Sequence, residues 1–450
     1  MVMTAALTWI VPGGAYDREI LTDASGNDRE VVKEGTYHEV QSQPRDLFAL
    51  VQSPVKGIQQ TADIIGFILI IGGVFAVIQK TGVITAAIHQ LVRKLHNREK
   101  IVIPAGILLF SIFGAVFGMS EEVIPFVLIF IPLSIALGYD SIVGVSIPFL
   151  GAGLGFAGAM MNPFTLGIAQ GIAGLPLFSG FFYRIAVWAV VTGAGIWMIM
   201  RYAARVKKEP RSSLVYDLDR KRKENTILNE GEITFDWRHK LILILFLSMI
   251  VLMVFGVMRY GWFIAEIAGL FLAVGIISGI IGRLSPNAMA ESFIDGARDL
   301  VGAALIVGFA RAILVLATDG QIIDTVMYAL SRAIRRLHPV FAAQSMFGIQ
   351  TVLNFFVPSG SGKAALTMPI MAPLADLIGI TRQTSVLAYQ LGDGLTNMII
   401  PTSGVTMGVL GMAKIPWSRW ARWLLPLEII LFIIGLMLLI PPVLFNWGPT

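Results

Sequence analysis

Two stretches leave this chain almost no choice of fold. From Ile64 to Ile78, and again from Leu241 to Met258, no residue carries a charge. Each run approaches the roughly 20 residues a helix needs to cross the hydrocarbon of a bilayer. Backbone groups find no water there, so such segments must close their hydrogen bonds internally, as helices. The rest of the chain agrees: 56% of its 450 residues are hydrophobic, 14% are charged, and the mean hydropathy is +0.75. These values lie outside the range of soluble globules, and the reading is an all-α polytopic membrane protein built as one multi-helix domain.

A pI near 9.4 would suggest nucleic acid for a soluble protein, but in a membrane protein basic loops report orientation, and no nucleic-acid partner is expected. The chain has no cysteine, which excludes disulfides, thiolate metal sites and cysteine nucleophiles. No cleavable signal peptide is evident. The run from Met1 to Val11 would rise only about 16 Å as a helix, so either residues precede it or it ends a longer first helix.

The two halves match. "RKLHNREK" (Arg93 to Lys100) faces "RRLHPVFA" (Arg335 to Ala342), and "FGMSEEVIPFVLIFIPLSIALG" (Phe117 to Gly138) faces "PSGSGKAALTMPIMAPLADLIG" (Pro358 to Gly379). "GLGFAGAMMNPFT" (Gly153 to Thr165) faces "GDGLTNMIIPTSG" (Gly392 to Gly404) with one gap, and "GIAGLP" faces "GMAKIP". Landmarks in one order indicate a repeat. The basic linker Lys207 to Lys240 belongs in the cytoplasm, whereas 13–61 is richer in acidic residues and reads as an external hairpin plus an amphipathic segment. If each copy has four crossings and one hairpin that leaves on the side it entered, the extra helix Leu241 to Met258 turns the second copy upside down. Two inverted repeats are a hallmark of secondary transporters. Arg332, Arg335 and Arg336 then come out external, on a segment Gln321 to Leu337 that is expected to lie in the interface and let them snorkel.

Each copy is expected to hold a re-entrant hairpin and a Pro-broken transmembrane helix. The hairpin tips, "GMSEE" (Gly118 to Glu122) and "PSGSGK" (Pro358 to Lys363), resemble a phosphate loop only superficially, because the pattern requires glycine where Val357 stands and a hydroxyl where Ala364 stands. Irregular backbone at membrane depth is tolerated where it lines a wet, protein-walled site. The breaks, "AMMNPFT" (Ala159 to Thr165) and "TNMIIPTSG" (Thr396 to Gly404), put proline inside apolar spans, freeing half-helix ends whose amides attract anions and whose carbonyls coordinate cations. Substrate contacts are therefore expected from Ser120, Glu121 and Glu122 at one tip, and from Asn162, Pro163 and Thr165 at its break. In the second copy they are expected from Ser359, Gly360, Ser361, Gly362 and Lys363 at the tip, and from Asp393, Asn397, Thr402 and Ser403 beside or in the break. A coupling Na+ or H+ would sit near Ser120, Glu121 and Asn162, and near Ser359, Thr396 and Thr402; no other cofactor is expected.

A charge on a helix at mid-bilayer costs roughly 2.5 to 3.5 kcal/mol on insertion scales, so Glu121, Glu122, Lys363, Asp393 and Arg311 need a purpose or a partner. One reading gives the acids a cation, a proton or a substrate amine, and Lys363 a carboxylate; the other pairs Lys363 with an acidic neighbour. Glu121→Gln and Asp393→Asn are expected to abolish transport with the fold retained. Arg311 reads as structural, Asp63 and Asp299 as caps at matched helix starts, and Trp417, Trp420 and Trp423 with Arg419 and Arg422 as an interfacial anchor. Enzymatic alternatives are weak: Gln390 stands where an intramembrane aspartyl protease has its first glycine, and no H-E-x-x-H occurs.

"GMSEEVIPF", "GAGLGFAGAMMNPFTLGIAQGIAGLPLFSG" and the stretch from "NFFVPSGSGKAALTMP" to "LGDGLTNMIIPTSG" resemble the YfcC branch of the C4-dicarboxylate anaerobic carrier family, within the ion transporter superfamily. The resemblance runs over nearly the whole chain. It implies a homodimeric elevator transporter of the bacterial inner membrane, in which a scaffold holds the dimer while hairpins and broken helices move as a block. Sodium-coupled dicarboxylate relatives carry Ser-Asn-Thr at both tips. Here the tips read Ser120-Glu121-Glu122 and Ser359-Gly360-Ser361, so their ion and substrate chemistry does not transfer directly. Members of the branch are described both as C4-dicarboxylate carriers and as arginine/ornithine exchangers. The expected solute is a small carboxylate-bearing metabolite, the alternative a basic amino acid; a channel with the hairpins as a fixed filter is the rival class.

The implied division gives 1–100 to the scaffold and 101–182 to the transport part of the first repeat, with hairpin 101–138 and broken helix 141–173. Residues 183–258 hold a closing helix, the cytoplasmic linker 205–240 and the connecting helix. In the second repeat 261–338 is scaffold and 339–423 transport, with hairpin 340–379 and broken helix 381–414, and 424–450 is a last helix.

Overall fold

The computed structural model describes residues 1–22, 28–33, 35–94, 99–227, 235–334 and 337–448. Among the described residues, eight helical stretches are long and apolar enough to cross a membrane, and one of them, Glu99–Phe117, runs into the first arm of the first hairpin.

The N-terminal segment forms a short helix, Val2–Ile10, and two small antiparallel ribbons, Gly14–Ala15 with His38–Glu39 and Arg18–Thr22 with Asp28–Val32. An amphipathic helix, Leu47–Gln60, follows, started by the Asp46 carboxylate accepting from the Ala49 amide at 2.8 Å. Leu47, Phe48, Val51 and Val55 stay exposed on it, as suits a helix lying against lipid.

The frame of the molecule is a 34-residue helix, Pro286–Asp319, packed against Leu47–Gln60, Ala62–Lys80 and the second half of the second broken helix. Its continuity corrects one expectation. Asp299 is not at a helix start; it lies mid-helix, 3.4 Å from Lys414. Asp63 does stand in the first turn of Ala62–Lys80 but does not cap it. The helix Ile323–Ile334, expected to rest in the lipid interface, is partly covered by the N-terminal ribbons. Asp324 accepts from the Tyr16 amide and pairs with Arg18, both at 3.1 Å, and Tyr37 stacks on Tyr328 at 3.9 Å between ring centres. Arg332, exposed, lies over the Tyr328 ring; Arg335 and Arg336 fall outside the described residues.

Two helical hairpins stand beside this frame. The first joins Val102–Phe117 to Ile124–Ala136, the second Pro339–Phe356 to Gly360–Ile378. Two helices are interrupted beside the prolines that mark them in the sequence. The span Ser141–Ile172 breaks between Gly158 and Pro163, and Arg382–Gly394 gives way to a 3-10 turn, Thr396–Met398, before Gly404–Met412 resumes. The first hairpin arm and the first interrupted helix touch backbone to backbone: a Cβ on Gly155 would fall 1.9 Å from the Ser111 carbonyl. The interrupted helices are tied to each other, Gln390 donating to the Phe156 carbonyl at 2.8 Å. The last long helix begins at Trp417 rather than at 424, directly after Pro416, which cannot continue the preceding turn.

Candidate functional site

Both hairpin tips and both interruptions open onto one cavity of about 550 Å³, closed on the far side by Gln60, Thr61 and Ile64 from the frame and by Val307 and Arg311 of the long helix.

The first tip turns because Gly118 takes a left-handed conformation, φ 69°, which glycine adopts without steric cost. No side chain fits there either, since a Cβ would lie 2.4 Å from Asn162 Oδ1. Ser120, Glu121 and Glu122 line the cavity. Glu122 Oε2 accepts from the Ser120 amide at 2.9 Å, which folds the tip back on itself. Behind the tip, Asn162 Oδ1 accepts from the amides of Phe164 at 2.9 Å and Thr165 at 3.3 Å, so it caps the second half of the broken helix. Its Nδ2 and the Thr165 hydroxyl are buried with no hydrogen-bond partner among the described residues. Thr165 lines the cavity; Asn162, buried, and Pro163, exposed, do not.

The second tip is shorter than its sequence suggests. Ser359 is the N-cap, its hydroxyl accepting from the Gly362 amide at 3.4 Å, and the helix starts at Gly360. Ser359, Gly360 and Ser361 face the cavity, whereas Gly362 faces a separate pocket toward Arg18 and Asp324. Lys363 is fully buried behind the tip. Its Nζ lies 3.0 Å from Asp393 Oδ1 and donates to Asn354 Oδ1 at 3.0 Å. The Asp393 contact is one of charge rather than an aligned hydrogen bond, and neither carboxylate oxygen has a hydrogen-bond donor among the described residues. Of the two sequence readings for Lys363 and Asp393, the structure has the internal pair.

Asn354 ties this pair to the second interruption, which sequence reasoning missed. Its Nδ2 lies within hydrogen-bond distance of the Asp393 carbonyl (3.2 Å), Thr396 Oγ1 (2.8 Å) and Asn397 Oδ1 (2.9 Å). The signal was present as one amide inside the apolar run "TVLNFF". Asn397, Thr402 and Ser403 reach the cavity; Thr396 does not line it. Ser403 caps Gly404–Met412, and the Thr402 hydroxyl is buried without a partner. The unwound carbonyls are met by the tryptophans read earlier as an anchor. Trp420 Nε1 donates to Met398 O at 2.9 Å and Trp417 Nε1 to Ile399 O at 2.8 Å. Trp420 and Trp423 are buried, and Arg419 pairs with Asp217.

Arg311 was read as structural. It lines the cavity, with Nε donating to Gln60 Oε1 at 3.0 Å. Among the described residues no group of three or more Asp, Glu or His could hold a transition metal.

A family model described as "C4-dicarboxylate anaerobic carrier" matches residues 1–443. A protein of Escherichia coli (strain K12) named "Putative basic amino acid antiporter YfcC" is 40% identical over 457 residues, covering 94% of this chain and 90% of that one. An uncharacterized protein of Haemophilus influenzae is 32% identical over 480 residues, covering 98% and 94%. Among solved structures, the YdaH transporter of Alcanivorax borkumensis overlays with a TM-score of 0.41 at 17% identity, covering 100% of this chain and 98% of that one. MtrF of Neisseria gonorrhoeae overlays with a TM-score of 0.41 at 19% identity, covering 98% and 93%.

Proposed function

The chain belongs to the C4-dicarboxylate anaerobic carrier family, and on that premise we propose that it is a secondary active transporter for a small carboxylate-bearing metabolite. It is a multi-pass membrane protein of a transporter family. The observation that carries the proposal is the convergence of two hairpin tips and two helix interruptions on one cavity, with Ser120, Ser361, Asn397 and Ser403 among its polar walls. Four stretches of irregular backbone meeting inside an apolar protein make sense where a polar solute must shed its water.

In this proposal the halves are inverted repeats, and the hairpins with the interrupted helices move as an elevator against a frame that holds a homodimer in the bacterial inner membrane. Na+ or H+ couples the movement, at Ser120 and Glu121 on one side of the cavity and at Ser359 and Thr402 on the other. A C4-dicarboxylate is one such solute. A second reading, exchange of basic amino acids, is favoured by one feature: Glu121 and Glu122 put two carboxylates on the cavity wall, where a cationic group would be welcome. The name of the E. coli relative supports the same reading.

A thermal-shift screen of the purified chain in detergent tests both, with succinate, malate, arginine, ornithine and neutral amino acids, each with and without sodium. A ligand at 100 times its Kd stabilises by about 2.7 kcal/mol. The expected result is a shift with at least one carboxylate or amino acid, followed by counterflow of the same solute in proteoliposomes. No shift and no counterflow with any of them would overturn the proposal.

A further inference from the structure

We propose that Arg311 is the contact for the carboxylate of the transported solute, an inference that rests on the transporter reading above. Arg311 stands in the C-terminal third of Pro286–Asp319, within the apolar run "ALIVGFARAILVLA". A cation in such a run needs a partner or water. Its one hydrogen bond among the described residues is from Nε to Gln60 Oε1 at 3.0 Å, and no acidic side chain pairs with it. The side chain is half-buried, its two terminal nitrogens are not fully enclosed by protein, and the residue lines the cavity.

The fold prepares this arrangement. The helices Leu47–Gln60 and Pro286–Asp319 cross where Gly57 meets Gly308, so closely that a Cβ on Gly57 would lie 2.2 Å from the Gly308 carbonyl. Gln60 and Arg311 each follow their glycine by three residues, about one turn, and the crossing brings them together. With Nε held by Gln60, the guanidinium keeps Nη1 and Nη2 free, a parallel pair that matches the two oxygens of a carboxylate.

The other cation available for that task is withdrawn. Lys363, the residue the sequence offers to a carboxylate, is fully buried and engaged with Asp393 and Asn354. Among the described residues the cavity therefore carries one cationic side chain, Arg311, together with the acids Glu121 and Glu122 on the first tip. A solute with both a carboxylate and an ammonium, an amino acid, satisfies both sets of groups. In the elevator reading Arg311 belongs to the frame and the glutamates to the moving block, so the carboxylate contact is made in this end state and released as the block moves.

The test compares the full-length wild type with Arg311→Gln, Arg311→Lys and Gln60→Ala, purified in detergent and reconstituted. The probes are arginine, succinate and agmatine, the last being arginine without its carboxylate. Arg311→Gln is expected to weaken binding of whichever carboxylate the wild type takes by tenfold or more, with an unchanged melting temperature in the absence of ligand. Arg311→Lys should recover part of the loss, Gln60→Ala should weaken the same ligand by a few fold, and any agmatine binding should change by less than twofold. A carboxylate that binds Arg311→Gln as well as wild type overturns this inference and leaves the transporter reading standing. Equal loss of agmatine and arginine also overturns it, since that marks a structural role. A wild type that binds neither arginine nor succinate overturns both. If Arg311→Gln fails to fold, Gln60→Ala decides: unaltered affinity for the carboxylate counts against the proposal.

Discussion

Lys363 Nζ and Asp393 Oδ1 lie 3.0 Å apart with neither side chain exposed. They come from consecutive helices, Gly360–Ile378 and Arg382–Gly394, and fasten the second hairpin to the second interrupted helix. Removing one member of such a pair strands the other charge in a low-dielectric interior, at a cost of about 3–5 kcal/mol. Lys363→Met and Asp393→Asn are each expected to lower the melting temperature of the detergent-solubilised protein sharply. The double variant Lys363→Met with Asp393→Leu should recover most of the loss. This replaces the sequence expectation that Asp393→Asn spares the fold, and an Asp393→Asn protein that melts like wild type would restore it.

The two glutamates of the first tip should separate into two phenotypes. Glu122 accepts from the Ser120 amide at 2.9 Å and is almost fully buried, whereas Glu121 is part-exposed on the cavity wall. Glu122→Leu leaves the Ser120 N–H without its acceptor and should cost about 1–3 kcal/mol of stability. Glu121→Gln should leave melting unchanged and abolish uptake in proteoliposomes. Wild-type uptake by Glu121→Gln removes that residue from the mechanism.

The hairpins and interruptions were legible because their punctuation is local. Gly118 turns the first tip; Pro163 opens the second half of its broken helix and Pro401 lies in the unwound stretch of the other; and Gly138 and Gly379, aligned from sequence, both end hairpins with positive φ. The role of Lys363 was not legible, because it depends on where a helix starts. Once the helix begins at Gly360, Lys363 sits about 200° around the axis from Ser361, so one faces the cavity and the other the protein body. A shift of two residues in the start would exchange them, and sequence rarely fixes a boundary that well. Trp420 beside arginine has the composition of an interfacial anchor. Its burial follows from distant partners, Met398 and Phe149, that no local pattern reveals. Arg311 likewise gained its meaning only from the crossing at Gly57 and Gly308.

Those tryptophans give a graded prediction. Trp420 is fully buried and its Nε1 serves the Met398 carbonyl, so Trp420→Phe leaves a buried acceptor unmet and should cost about 1–3 kcal/mol. Trp417 is 37% exposed, so water can meet the Ile399 carbonyl when Trp417→Phe removes the donor, and the cost should fall to about 0.5–1.5 kcal/mol. Thermal unfolding of the two variants compares them directly. A larger loss for Trp417→Phe would show that the unwound segment is held from the exposed side.

The elevator proposal can be separated from a fixed pore by one engineered crosslink. The chain has no cysteine of its own, so a pair can be introduced without background. Gly404 opens the second half of the second interrupted helix, and a Cβ there would lie 3.2 Å from Val307 Cγ1 on the long frame helix. That proximity is compatible with the Cβ separation of about 3.5–4.5 Å a disulfide requires. Val307→Cys with Gly404→Cys should therefore crosslink under mild oxidant and tie the interrupted helix to the frame. If the block must slide, counterflow stops on oxidation and returns with reductant, while the flux of each single variant, whatever its level, is the same with and without oxidant. Undiminished flux through the fully crosslinked protein would mean that these helices do not move relative to one another during transport, and the hairpins would then be better described as a stationary filter.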